Sequence, residues 1–114
     1  SMWHYISLAL AILIGTLAQI GLKEGSNKSE TVGSLILEPY ILVSLMAYGI
    51  AAIFYILAIR QIPLSVAFPS VASSYILVAL ISHLLWAEPF GKTQILGIGL
   101  IISGIYILGL GTKT

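Results

Sequence analysis

Thr16, Gln19 and Lys23 stand out at the end of a long apolar run, because a helix carries residues three and four apart on one face. Together they form a stripe of hydroxyl, amide and ammonium. An amide in hydrocarbon is costly without a partner, so Gln19 either bonds a neighbouring helix or lines a wet cavity. Lys23 either snorkels to the headgroups or attracts an anionic group, such as a phosphate, at the mouth of that cavity. A second constellation follows Pro69: Ser70, Ser73, Ser74 and Tyr75, with His83 two turns beyond Tyr75. Pro69 lies inside an apolar run and removes one backbone bond, so a kink or break is expected near Val66 to Pro69. Hydroxyls after a broken helix are one way in which transport proteins line a cavity. The plainer reading is that the serines bond back to their own helix and allow close packing. His83, near the end of its run, is either interfacial or a proton carrier. Tyr48 and Tyr55, seven apart and on one face, either pack in the core or contact substrate.

What is missing narrows the chemistry. Glu24, Glu38 and Glu88 all stand at the ends of apolar runs, and none is near the centre of one. A carboxylate at mid-depth is the usual anchor for alternating cation and proton binding. Without one, an amphiphile with a neutral or anionic head suits the residues better than a lipophilic cation. No cysteine is present, so there is neither a disulfide framework nor a Cys-containing metal site. The residues imply no catalysis, no cofactor and no metal.

The elements that position these residues follow from composition. Of 114 residues, 59% are hydrophobic and 8% charged, with a mean hydropathy of +1.08. Soluble domains carry about 25% charged residues, which excludes a water-soluble enzyme. A net charge of +1 gives no basic surface for nucleic acid. The charges divide the chain into four free stretches, Ser1 to Leu22, Pro39 to Ile59, Gln61 to Ala87 and Thr93 to Thr112. Each can cross a bilayer, which takes about 20 apolar residues. Alternating strand patterns are absent, so the expected fold is all-α, one four-helix membrane domain with helices over about 2–22, 39–59, 63–87 and 93–111. The first stretch lacks the charged start and small-residue exit of a signal peptide and is read as a mature helix, while Ser1 ahead of Met2 reads as a remnant of tag cleavage.

The links differ. Lys23 to Glu38 is polar and then apolar from Val32 to Leu37, a loop followed by an interfacial segment or an early start to helix two. Arg60 to Pro63 and Glu88 to Lys92 are tight turns. Glu38-Pro39 and Glu88-Pro89 each place a carboxylate beside a proline where a helix should begin, and helix capping is the plainer role for both. Four spans put both termini on one side. That side and the Arg60 turn carry two basic residues, Arg60 and Lys113, against Lys23, Lys28 and Lys92 opposite. So small a bias predicts insertion in both orientations, or orientation by a partner. In the last helix Gly97 and Gly104 share a face, as do Gly99 and Ser103, which allows close backbone approach. Gly97, Leu100, Ile101 and Gly104 form the expected dimer interface.

With the Gln61-Ile62-Pro63 turn leading to Ala67-Phe68-Pro69, and the glycine pattern from Gly97, the chain resembles the small multidrug resistance proteins and the wider drug/metabolite transporter superfamily. Trp86-Ala87-Glu88-Pro89 followed by Gln94-Ile95-Leu96-Gly97 is similar to the end of that superfamily's repeat. Within it, Ala18-Gln19, Lys23, Pro63 to Pro69 and Trp86 to Pro89 most resemble the small subunits of the aminoarabinose-phosphoundecaprenol flippase. The resemblance implies movement of a polyprenyl-phosphate-linked sugar across the bacterial inner membrane, by an antiparallel or pseudo-antiparallel pair of identical or paralogous chains. Drug-exporting members carry a glutamate in the middle of helix one, where this chain reads Ala11-Ile12-Leu13-Ile14-Gly15-Thr16. In the expected site Gln19, Ser73, Ser74, Tyr75 and Tyr48 contact substrate, Lys23 holds its phosphate and Pro69 bends the wall. The alternatives are export of hydrophobic or quaternary cations, with Trp3, Tyr48, Phe54 and Tyr55 acting through cation–π contacts, and a non-transporting assembly subunit.

Overall fold

A backbone crossing hydrocarbon must satisfy its own hydrogen bonds, and a computed structural model describing residues 2–111 contains helices and no strand among those residues. The order is α1 (Met2–Lys28), α2 (Val32–Leu37), α3 (Pro39–Ile59), α4 (Leu64–Val71), α5 (Ser74–Trp86) and α6 (Lys92–Gly111). Four stretches are long and apolar enough to span a membrane: α1, α3, α4 together with α5, and α6. Ser1 and Lys113 lie outside the described residues.

Helix α1 does not stop at Leu22. Its 27 residues make a rod of about 40 Å, longer than the roughly 30 Å hydrocarbon layer. The extra turns stay helical because they suit water. Lys28 reaches Glu24 one turn back at 3.9 Å, the Ser26 hydroxyl donates to the Lys23 carbonyl at 2.8 Å, and Lys28 sits at the negative end of the helix dipole. Val32–Leu37 is a separate short helix, α2, started by a reciprocal Thr31–Ser34 capping box. The Glu38 carboxylate accepts the Ile41 amide at 3.1 Å and Pro39 opens α3, as a cap requires.

Helices α1 and α3 run antiparallel and make the main interhelical contact. Their buried faces contain a seven-residue repeat: His4, Ala11, Ala18 and Gly25 on one, beside Ser7, Leu8 and Thr16, and Ser44, Ala51 and Ala58 on the other. Within the repeat all but His4 are small, and small residues at a seven-residue period bring two backbones close, which matters in lipid because apolar burial offers no drive there. Gly21 and Gly25 mark the closest approach. A Cβ on Gly21 would collide with the Ser44 hydroxyl, and one on Gly25 would lie 2.7 Å from both Glu38 Oε2 and Ile41 Cγ1. At the other end Leu8, Ala58, Ile62 and Ala67 form a small core, with Tyr55 and Val66 against it.

The break in the third span comes later than its proline. Helix α4 runs through Pro69 to Val71, and the interruption falls at Ala72–Ser73. The amides of Ala72, Ser73, Tyr75 and Ile76 bond carbonyls three residues back, tightening the backbone after the proline. Ser70 donates to the Val66 carbonyl at 2.7 Å, next to the carbonyl that Pro69 leaves without its usual donor. Helix α6 packs loosely, with Ile98 its buried residue. The molecule is a slab of 51 × 35 × 20 Å, about two helices thick, with Leu17, Ile53 and Leu100 among many large apolar side chains facing outward.

Candidate functional site

Three clefts lie along one line of α1. Ala11, Gly15, Gln19 and Lys23 are spaced by four, so they form a single row. Ala11 and Gly15 floor a cleft of about 240 Å³ whose other walls are Tyr48, Ala51, Ala52, Tyr55, Phe68 and Val71. Gln19 lines the next, about 370 Å³, with Ala72, Ser74, Tyr75, Val78 and Ile101. Gln19 and Val78 also line the third, about 200 Å³, with Ile20, Lys23, Ser82, Trp86 and Glu88. Polarity rises along the row, from aromatic and aliphatic walls, through amide and hydroxyls, to a pair of opposite charges.

The wall opposite α1 is built by the broken span. Its interruption turns Ser74 and Tyr75 into the middle cleft, and α5 then presents Val78, Ser82 and Trp86 at a spacing of four along the last one. Beyond α5, Ala87 adopts φ 56°, a left-handed cap that lets the chain reverse. His83 Nδ1 donates to the Glu88 carbonyl at 2.8 Å and its ring stands 6.1 Å from that of Phe90, so His83 braces this turn. The reversal sets the Glu88 carboxylate 3.6 Å from Lys23 Nζ, while Trp86 Nε1 donates to Glu24 at 3.4 Å.

Gln19, Lys23, Ser74 and Tyr75 thus come together, and three expected placements change. The Ser73 hydroxyl donates to the Ser70 carbonyl at 2.6 Å and does not line the groove, because the tightened backbone brings that carbonyl within reach. Tyr48 lies in the apolar cleft, where α3 sets it beside Ala11 and Gly15 rather than beside Gln19. Ile101 turns into the middle cleft, whereas Gly97 and Gly104 have no neighbour within 4 Å of a Cβ position and Leu100 is 68% exposed. Capping by Glu88 is also overturned: α6 starts at Lys92, and the Gly91 amide is taken by the Gln94 side chain at 2.8 Å. Two further residues line the last cleft: Ser82, which the sequence does not single out, and Trp86, which stands there only as part of a turn motif; their four-residue spacing is the available signal.

A family model described as the EamA-like transporter family matches residues 1–110. A Salmonella heidelberg protein named "Probable 4-amino-4-deoxy-L-arabinose-phosphoundecaprenol flippase subunit ArnE" is 31% identical over 107 residues, 91% of this chain and 95% of that one. A Pseudomonas fluorescens protein of the same name is 26% identical, covering 96% of each chain. A Klebsiella pneumoniae namesake is 33% identical over 67 residues, 59% of this chain and 60% of its own length. No solved structure matches the chain.

Proposed function

This chain belongs to the EamA-like transporter family, a multi-pass transporter of the bacterial inner membrane, and from that premise we propose that it moves a lipid-linked phosphosugar or similar amphiphile between leaflets. The observation that carries this reading is the graded row of clefts along α1. An apolar tail suits the aromatic and aliphatic end, a hydroxylated head suits Gln19, Ser74 and Tyr75, and a phosphate suits Lys23. The names of the relatives point to the same chemistry, an aminosugar on a polyprenyl phosphate. A slab 20 Å thick cannot enclose such a head, so a second four-helix chain, identical or paralogous, covers the open side, with Gly97, Leu100 and Gly104 on its contact face. Purified protein in vesicles should change the sidedness of a polyprenyl-phosphate aminosugar, and Gln19→Leu should abolish the change. Vesicles that keep the lipid's sidedness with every pairing of paralogous chains refute the reading and leave an assembly subunit.

The aromatic cleft of Tyr48, Tyr55 and Phe68 favours a second reading, export of lipophilic cations held by cation–π contacts. Trp3 stacks on His4 at 3.9 Å and Phe54 does not line that cleft. Saturable tetraphenylphosphonium binding lost in Tyr48→Leu would favour export.

A further inference from the structure

The two Glu-Pro pairs meet different fates. Glu38 caps α3, whereas Glu88 caps nothing and turns its carboxylate across to α1. The turn is built to hold it there. Ala87 reverses the chain, the Glu88 amide donates to the Ser82 carbonyl at 3.4 Å, and the Glu88 carbonyl accepts from His83. Its position is therefore fixed by groups other than its carboxylate, which leaves the carboxylate available to a ligand.

That carboxylate shares the cleft with Lys23, Gln19 and Trp86. The two charged side chains are 46% and 44% exposed and 3.6 Å apart. An ion pair at that exposure adds little stability and exchanges readily. Glu24, the other acid nearby, already faces Lys28 and the Trp86 indole. A purely anionic head that takes Lys23 strips Glu88 of its partner and leaves a carboxylate beside a new negative charge. A head carrying both signs replaces each half of the pair, so neither side chain loses its counter-charge.

Building on the amphiphile reading, we infer that the Lys23–Glu88 pair recognises a headgroup bearing both an anion and a cation. Lys23 takes the anion, Glu88 takes the cation, and Glu88 sets the selectivity against heads that are only anionic.

The test compares lysophosphatidylethanolamine, with both signs, and lysophosphatidic acid, with one, on the same acyl chain. The two-tryptophan sequence makes Trp86 the sole reporter in a Trp3→Phe background, titrated in dodecyl maltoside micelles. The two-signed lipid should bind about fivefold tighter, the ratio one weak ion pair supplies. Glu88→Gln should reduce the ratio to about one, Glu88→Asp should keep it, and Lys23→Gln should weaken both lipids. The doubly swapped Lys23→Glu, Glu88→Lys chain, which retains a pair, should retain the preference. An unchanged ratio in Glu88→Gln, or no preference in the parent, overturns this inference while the amphiphile reading stands. Failure of both lipids to bind the parent overturns both.

Discussion

Replacing Gly25 by alanine places a methyl group 2.7 Å from Ile41 Cγ1, 2.8 Å from Ile41 Cδ1 and 2.7 Å from Glu38 Oε2. Carbon contacts relax at about 3.5–4.0 Å, so the helices must part by close to an ångström or both side chains must move. Overpacking of this kind costs about 1–3 kcal/mol. Glu38 is also the cap of α3, and displacing its carboxylate from the Ile41 amide costs about 1 kcal/mol more. Against this, alanine is a better helix former than glycine by about 1 kcal/mol. The net expectation is a loss of about 2 kcal/mol. Gly97→Ala is the matched control: nothing lies within 4 Å of its new methyl, so the propensity gain of about 1 kcal/mol stands alone. The two variants should differ by about 3 kcal/mol, over a hundredfold in the folded-to-unfolded ratio. Reversible unfolding in mixed micelles, followed by circular dichroism against the mole fraction of dodecyl sulfate, measures both. A Gly25→Ala midpoint at or above that of Gly97→Ala refutes the close seam between α1 and α3.

Ser73→Ala should leave lipid translocation within about twofold of the parent, since the hydroxyl is spent on the Ser70 carbonyl, while Ser74→Ala slows it several-fold; initial rates in vesicles distinguish them. Ala87→Gly should stabilise the chain by about 0.5–1 kcal/mol in the same unfolding assay, because glycine carries no Cβ penalty at a φ of 56°. Cysteines replacing Lys28 and Lys113 should label from both faces of the membrane in cells lacking any partner chain. Labelling from one face alone removes the dual-orientation expectation.

Much of the fold was legible because the signal is coarse: charges fall only where the chain leaves hydrocarbon, so spans and links read directly from nine residues. Gln19 and Lys23 were legible for a local reason, since a spacing of four fixes a shared face before any packing is known. Glu38 and Glu88 show where this stops. Both precede proline, yet one caps and the other crosses to Lys23, and the difference depends on the Ala87 reversal and on α5 lying beside α1. The seam stayed hidden for the opposite reason. His4, Ala11, Ala18 and Gly25 keep a strict period, but small residues are so common in this chain that the period has no contrast. Pro69 announced a break but placed it too early, at Val66 to Pro69, because the tightened bonds that absorb the lost donor lie downstream at Ala72 to Ile76.

The seven-residue seam also bears on how the protein is made. Its two strips belong to the first and second spans, separated by a link of a few polar residues and one short helix. They can therefore zip together while the ribosome is still adding the third span, as domains fold in order of synthesis. The early half becomes a finished plank, and the elbowed third span and α6 are laid against it last, held by few contacts. A newborn chain thus acquires its framework before the far walls of its clefts.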